Sequence, residues 1–303
     1  MSNARWQRWL AACQWLLIAA WVLGFWRRGA LLALAGLVLV PLLWRLAMLP
    51  QFLLMARVCR NDAQPPPGPA RLLRAWWAEA RWAGLVFGWW QPFREHAQPD
   101  WLPPRPAQWP APRGVVLVHG YLCNRAFWTP WFAPLRARGH GFVAVTLEPA
   151  FGSIDDYAPA IDAAVRRVTE ATGRAPLIVG HSMGGLAIRA WLRATPGAAA
   201  RVQRIVTIGA PHHGSWPAAY AHSTAGRQMR LDSPWLRQLQ AQEPPALGAG
   251  FVCWYSNCDN AVYPPAMAQL AGADNRYLAG LAHVEMAFDA RVLHDCLELL
   301  QAA

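Results

Sequence analysis

Leu177-Ile178-Val179-Gly180-His181-Ser182-Met183-Gly184-Gly185 decides how this chain is read: a short apolar run ends in Gly-x-Ser-x-Gly, and a helix-forming segment follows. A strand that turns so abruptly into a helix strains the serine backbone and brings neighbouring chain too close for side chains. That is why glycines stand two positions to either side, at Gly180 and Gly184. The arrangement is a nucleophile elbow. It predicts Ser182 exposed at the strand's carboxyl end, with a helix N-terminus behind it that favours negative charge.

Upstream, Gly114-Val115-Val116-Leu117-Val118-His119-Gly120-Tyr121 reads as a buried parallel strand running into a His119-Gly120 turn. This is where a second backbone amide is borrowed for an oxyanion hole, so Tyr121 and Met183 are the two expected amide donors. Downstream, the scaffold must supply an acid and then a histidine, each on a loop after a later strand. Gly250 to Ser256 reads as a strand followed by the loop Asn257-Cys258-Asp259-Asn260, which nominates Asp259. A shorter strand from Asn275 precedes Gly280-Leu281-Ala282-His283, which nominates His283 as the general base. Asp232 falls in a cap-like region, Asp274 reads as a turn residue, and His294 lies inside the last helix. His212 and His213 follow the strand Ile205 to Ile208 and are expected to line the site, but they precede Asp259, the wrong order for the base.

The segments Val118-His119-Gly120, Gly180-His181-Ser182-Met183-Gly184-Gly185 and Gly209-Ala210-Pro211-His212-His213-Gly214 together resemble the α/β-hydrolase superfamily, in particular its bacterial lipase and esterase group. The likeness runs from about Arg113 to the C-terminus. It implies an α/β-hydrolase fold, the triad Ser182, Asp259 and His283, and the oxyanion amides of Tyr121 and Met183, with no cofactor. Leu147 to Asp155 also looks like a subgroup of membrane-anchored hydrolases. Some secreted lipases of this kind hold a structural calcium, but no matching acidic pair stands here and no metal is assigned. The alternation of strands near 114–118, 142–147, 176–181 and 203–208 with helices near 127–138, 157–172 and 183–194 predicts a mainly parallel sheet covered on both faces. The excursion at 215–249, with Trp216, Met229, Trp235 and Leu236, is too long for a simple connection and is read as a helical cap over Ser182.

The apolar residues crowd the front of the chain. Trp9 to Trp26 is a run of roughly 18 uncharged residues, enough to cross a hydrocarbon core, and Gly29 to Trp44, extendable to Met48 past Arg45, is a second. A cleaved signal peptide is the rival reading of the first run; against it, Cys13 precedes the apolar stretch and no small-x-small site closes it before Arg27. Residues 1–60 are therefore expected to be a transmembrane helical hairpin. Arg5, Arg8, Arg45, Arg57 and Arg60 flank one side and Arg27 with Arg28 the other, a bias that favours both termini in the cytoplasm. The expected location is a bacterial inner membrane with the catalytic domain facing the cytoplasm. Residues 61–112 hold the stiff Gln64-Pro65-Pro66-Pro67-Gly68-Pro69 connector and a tryptophan-laden helix from Arg71 to Trp90 that either lies at the headgroups or packs on the hydrolase. Pro103 to Pro112 marks the boundary with the catalytic domain at 113–303.

The balance of 28 basic against 17 acidic residues gives a net charge of +11, and every cation is arginine. No basic run lies on a single element and no nucleic-acid-binding fold is evident, so anionic headgroups account for the charge better than nucleic acid. Cys13, Cys59, Cys123, Cys253, Cys258 and Cys296 show neither metal spacing nor secreted-scaffold density and are read as mostly free thiols, a Cys253–Cys258 bridge requiring a periplasmic face. The expected activity is hydrolysis of carboxylic esters with an apolar acyl part, from lipid or a similar apolar ester, through an acyl-enzyme. An acyltransferase or thioesterase would share every motif. A non-catalytic membrane-binding module would ordinarily have lost a triad member, and none is lost.

Overall fold

The computed structural model describes residues 2–103 and 111–302. Part of the proline-rich boundary, at 104–110, lies outside the described residues. The centre is a six-stranded, wholly parallel sheet in the order β2-β1-β3-β4-β5-β6. Its strands are β1 (Val115–Val118), β2 (Phe142–Ala144), β3 (Leu177–His181), β4 (Arg204–Ile208), β5 (Phe251–Tyr255) and β6 (Asp274–Tyr277). Every residue of β1, β2, β3 and β5 is buried, which is why these strands read as continuous apolar runs and not as an alternation.

Alternate side chains serve the two faces. Val116, Val118, Ile178 and Ile205 enter one apolar layer with Val165, Val168, Leu186 and Trp191. Val115, Leu117, Leu177, Val179 and Val206 enter the other, with Trp128, Trp131, Phe132 and Leu297. Fully burying an aliphatic side chain of this size contributes about 1.5–3 kcal/mol. The sheet that carries the site is therefore a rigid platform.

Among the described residues, twelve α-helices surround or precede it: α1 (Asn3–Phe25), α2 (Ala30–Leu46), α3 (Leu49–Val58), α4 (Pro69–Leu85), α5 (Gln91–Phe93), α6 (Thr129–Ala137), α7 (Ala158–Thr172), α8 (Met183–Ala194), α9 (Thr224–Gln228), α10 (Pro234–Gln242), α11 (His283–Met286) and α12 (Ala290–Gln301). The strand expected over 142–147 stops pairing at Ala144. The Val145 amide still reaches Leu117 O of β1 at 3.1 Å, and past it the chain is drawn to a different partner: the Leu147 amide donates to His119 Nε2, 2.9 Å away. Asp274 opens β6 and pairs with Arg276 instead of making a turn.

The excursion folds into 3₁₀ turns with α9 and α10, and Met229, Leu236 and Leu239 join the core on the α8 side. Arg189 of α8, fully buried, grips Glu243 just after α10 through Nε and Nη2 at 2.7 and 2.6 Å. The tryptophan-laden segment packs on the hydrolase through Ala75, Trp76, Glu79 and Ala80 of α4, while Leu73, Trp77 and Trp89 stay exposed. Of the two readings that the sequence left open, packing on the hydrolase is the one this face of α4 makes.

Both helices at the front are apolar enough to cross a membrane by length and composition, over Asn3–Arg28 and Ala30–Asn61. Only 6% and 11% of their most apolar windows are buried inside the protein. Leu23 and Leu31 are 77% and 87% exposed, and Trp21 of α1 donates its indole N–H to Leu32 O of α2 at 3.0 Å. All six cysteines are free thiols, five of them buried and Cys13 exposed.

Candidate active site

Ser182 has φ 54° and ψ −129°, a backbone conformation that L-residues avoid. Such strain costs about 1–3 kcal/mol and persists only where the surroundings impose it. They do so here: a Cβ on Gly184 would lie 2.5 Å from Val118 O and 2.7 Å from His119 O, so only glycine lets α8 start this close to β1. The Ser182 amide is fixed by Ile208 O at 2.9 Å. Gly120 is equally constrained, since a Cβ there would sit 2.8 Å from Ser182 Cβ. The His119-Gly120 turn therefore lies directly against the Ser182 side chain.

Met183 is the first residue of α8, where amides have no intrahelical acceptor. Neither its amide nor that of Tyr121 is taken by a backbone carbonyl among the described residues. The loop behind Tyr121 is held by His119. Nε2 of His119 accepts from Leu147 N, so Nδ1 carries the proton and donates to Gly120 O at 2.8 Å. Burial lowers the His119 pKa to about 4, which keeps this ring neutral and the loop geometry constant. Tyr121 also bonds Ser223 at the start of α9, 2.7 Å away, and packs edge-on against Phe151.

Asp259 and His283 meet on loops after β5 and β6. His283 Nδ1 lies 2.9 Å from Asp259 Oδ1 and 3.0 Å from Oδ2. Oδ1 also accepts the amides of Ala261 and Val262 at 2.9 and 2.7 Å, so the carboxylate is fixed before it meets the ring. With Nδ1–H engaged by the carboxylate, Nε2 is left as the basic nitrogen. Burial works against charging His283, but Asp259 and then Glu79 outweigh it, and its pKa is raised above the ordinary 6.5.

His181, immediately before Ser182, donates Nε2–H to His283 O at 3.2 Å, and the two rings lie 4.6 Å apart between centroids. Burial, then the neighbouring His283, holds the His181 pKa well below 6.5. The turn that carries His283 therefore packs against the residue that precedes Ser182. The Ser182 hydroxyl makes no hydrogen bond among the described residues. A nucleophile–base bond often tightens only around substrate.

The competing residues sit elsewhere. His212 does not line the site. It is fully buried under β4 and β5, with Nε2 3.0 Å from Thr207 Oγ1, because its carbonyl is the acceptor for Arg189 Nη1 and draws the chain inward. His213 accepts from Gln240 of α10. Asp232 pairs with Arg237 on the surface, and His294 is exposed beside Glu298. Among the described residues no cluster of three or more His, Cys, Asp or Glu side chains could hold a metal.

Several supporting residues went unread in the sequence. Asn3 and Gln7, at the start of α1, donate to Cys123 O and Leu122 O at 2.5 and 2.8 Å, on the loop that follows Tyr121. Gln91 accepts the Asn124 amide of the same loop at 2.7 Å. Asn260 accepts from His283 N and donates to Gln51 of α3. Glu79 of α4 accepts the Val284 and Glu285 amides. The only signal was polarity at intervals on otherwise apolar helices.

A family model described as "Alpha/beta hydrolase family" matches residues 115–299. The chain belongs to the alpha/beta hydrolase family. Among solved structures, this hydrolase resembles the mature form of lipase BlEst2 from Bacillus licheniformis at 19% identity and TM-score 0.57, over 65% of this chain and 96% of that one. It also resembles Aspergillus fumigatus lipase B at 19% identity and TM-score 0.50, over 58% of this chain and 49% of that one. At such identities the likeness is one of fold. No curated protein matches this hydrolase.

Proposed function

We propose that this alpha/beta hydrolase is a membrane-anchored serine hydrolase that cleaves carboxylic esters with an apolar acyl part. The observation that carries the reading is the buried His283–Asp259 pair, in a turn bonded to His181, the residue that leads into the strained backbone of the Ser182 elbow. Ser182 Oγ attacks the ester carbonyl while His283 Nε2 takes its proton, and Asp259 stabilises the imidazolium that results. The oxyanion is received by the Met183 and Tyr121 amides, each such donor being worth about 2.7–4 kcal/mol of barrier. His283 returns the proton to the leaving alkoxide, and water resolves the acyl-enzyme by the reverse route.

An apolar substrate fits the surroundings. Phe151, beside Tyr121, and Tyr220, next to the cap, are 46% and 69% exposed, and the relatives of like fold are lipases. The anchor reading is supported by two long apolar helices with bare leucines, a surface water would not tolerate. The arginine bias favours a cytoplasmic catalytic domain, and the contact of the N-terminal turn of α1 with the Cys123 loop supports a domain on the same side as the N-terminus.

A fluorophosphonate probe tests the chemistry: labelling of the wild type and not of Ser182→Ala is expected, and equal labelling of both would refute a Ser182 nucleophile. Esters of graded chain length then read the acyl preference. For the facing, a C-terminal fusion reporter active only in the periplasm would reverse the orientation.

A further inference from the structure

Glu79 is an acidic residue with almost no contact with water, 3% exposed, on a helix that precedes the catalytic domain in sequence. Its Oε2 accepts the Val284 amide at 2.9 Å and the Glu285 amide at 3.3 Å, and Oε1 accepts Val284 again at 3.2 Å. These are the first amides after His283, at the start of α11, where no intrahelical carbonyl serves them. A solvated side chain could meet these amides as well; what is unusual is that a carboxylate is buried where it meets the two amides that follow His283.

The rest of α4 fixes this placement. Arg74 bonds Gly280 O at 2.9 Å and both carboxylate oxygens of Glu285 at 2.5 and 3.0 Å, so the loop before His283 is clamped from the same helix. Glu285 in turn accepts the Ala282 amide at 3.1 Å. Trp82 packs on Phe288 with centroids 4.7 Å apart. At the other end, Trp76 donates to Arg45 O of α2 at 3.0 Å, which ties α4 to the apolar hairpin.

We propose that Glu79 is a positioning residue for His283: delivered by the helix that flanks the apolar hairpin, its carboxylate fixes the backbone carrying the imidazole and supplies a second negative charge, beside Asp259, that favours the imidazolium. This rests on the reading of His283 as general base. Burial pulls Glu79 up to about 7 while His283 and the two amides pull it down, so its negative charge is present on the alkaline side of neutrality, where it opposes loss of the His283 proton. The titratable groups acting on His283 are His181 from β3, Asp259 from the β5 loop and Glu79 from α4, with Arg74 of α4 paired to Glu285 in the turn that follows and the Cys258 thiol next to Asp259 in the chain. Burial pushes Cys258 up to about 11, which leaves it uncharged at neutral pH. Glu79 is the member of this set that a merely structural cap would not need to be ionised.

The test uses the full-length protein in detergent micelles, with Glu79→Gln, Glu79→Asp and Ser182→Ala compared with wild type. Fluorophosphonate inactivation rates are followed against pH, and the His283 ring is titrated by NMR. In Glu79→Gln, which can still accept one amide hydrogen bond, the acid limb of inactivation and the His283 titration are both expected to move to lower pH by about half a unit or more, because an anion that favoured the imidazolium is gone. The plateau rate is expected to fall about tenfold, the loss of one charge-assisted contact. Glu79→Asp, which keeps the charge, is expected to retain the wild-type limb. Superimposable limbs and ring titrations in wild type and Glu79→Gln overturn the proposal. If the wild type itself is not labelled at Ser182, the hydrolase reading falls, and the ring titration alone decides: a shift in Glu79→Gln upholds the pairing with His283, and no shift removes it.

Discussion

Asp259 meets His283 with both oxygens, at 2.9 and 3.0 Å from Nδ1, and one of those oxygens is already held by the Ala261 and Val262 amides. The carboxylate therefore cannot follow the ring if the ring turns, and the ring is oriented by a fixed acceptor. Asp259→Asn keeps the shape but offers an amide that can present N–H to the imidazole and select the wrong tautomer. The expected outcome is a kcat lower by on the order of 10³- to 10⁴-fold, with the fold intact by circular dichroism. Near-normal turnover in this variant would show that another group orients His283.

The pH dependence follows from the raised pKa of His283, in which Asp259 and Glu79 outweigh burial. Only neutral imidazole acts as base, so kcat/KM against an ester is expected to rise with pH through a midpoint above the ordinary 6.5. The same shift contributes to stability. A histidine whose folded pKa exceeds its unfolded value stabilises the native state fully below the unfolded value, and that contribution disappears as pH rises through the folded value. Thermal melts of wild type and His283→Gln should accordingly differ most in mildly acid solution and converge above neutrality. A difference that grows with pH would contradict the sign.

Much of this site is legible in the sequence because its residues obey local constraints. Ser182 is framed by glycines that the turn requires, Asp259 falls on a loop after the apolar run of β5, and His283 follows the short strand β6. Asp274 and the end of β2 were misread because pairing of short strands is decided across the sheet, not along the chain. His212 looked like a site residue from its neighbours, yet the buried Arg189 that claims its carbonyl lies 23 residues away. Glu79, Asn3 and Gln7 were illegible for the same reason on a larger scale: their partners are more than a hundred residues distant.

Gly184→Ala is expected to damage both fold and chemistry. The added methyl would meet two backbone carbonyls of β1 and its turn, at 2.5 and 2.7 Å, and neither can rotate away. Relief requires α8 to retreat, which costs about 1–3 kcal/mol as overpacking does elsewhere and moves the Met183 amide off the oxyanion. Chemical denaturation and fluorophosphonate labelling of the same preparation check the two effects together; labelling at the wild-type rate would mean that α8 had not moved.

The ion pair of Arg189 with Glu243 joins the nucleophile helix to the cap, and the arginine is wholly shielded from water. Removing the carboxylate in Glu243→Ala strands that charge in the core and is expected to destabilise the protein by about 3–5 kcal/mol. Replacing Arg189 at the same time with methionine should recover a large part of the loss, since an apolar pair of similar volume carries no desolvation penalty. A double variant no more stable than Glu243→Ala would show that the pair matters through the His212 carbonyl and not through its buried charge.

The start of α1 reaches the loop that carries Tyr121, so the hairpin is expected to affect turnover as well as attachment. Asn3 and Gln7 serve the carbonyls of Cys123 and Leu122, and Leu122 itself sits at φ 57°, a conformation its side chain disfavours. Each of these hydrogen bonds contributes about 1 kcal/mol net, and their loss would free the Tyr121 amide to wander from the oxyanion. In Asn3→Ala/Gln7→Ala, kcat for a water-soluble short-chain ester in detergent is expected to fall about tenfold or more, with KM little changed, because oxyanion contacts strengthen in the transition state. The soluble ester removes any need to reach a bilayer. A variant that loses only activity on vesicle-borne substrate would assign these residues to anchoring alone.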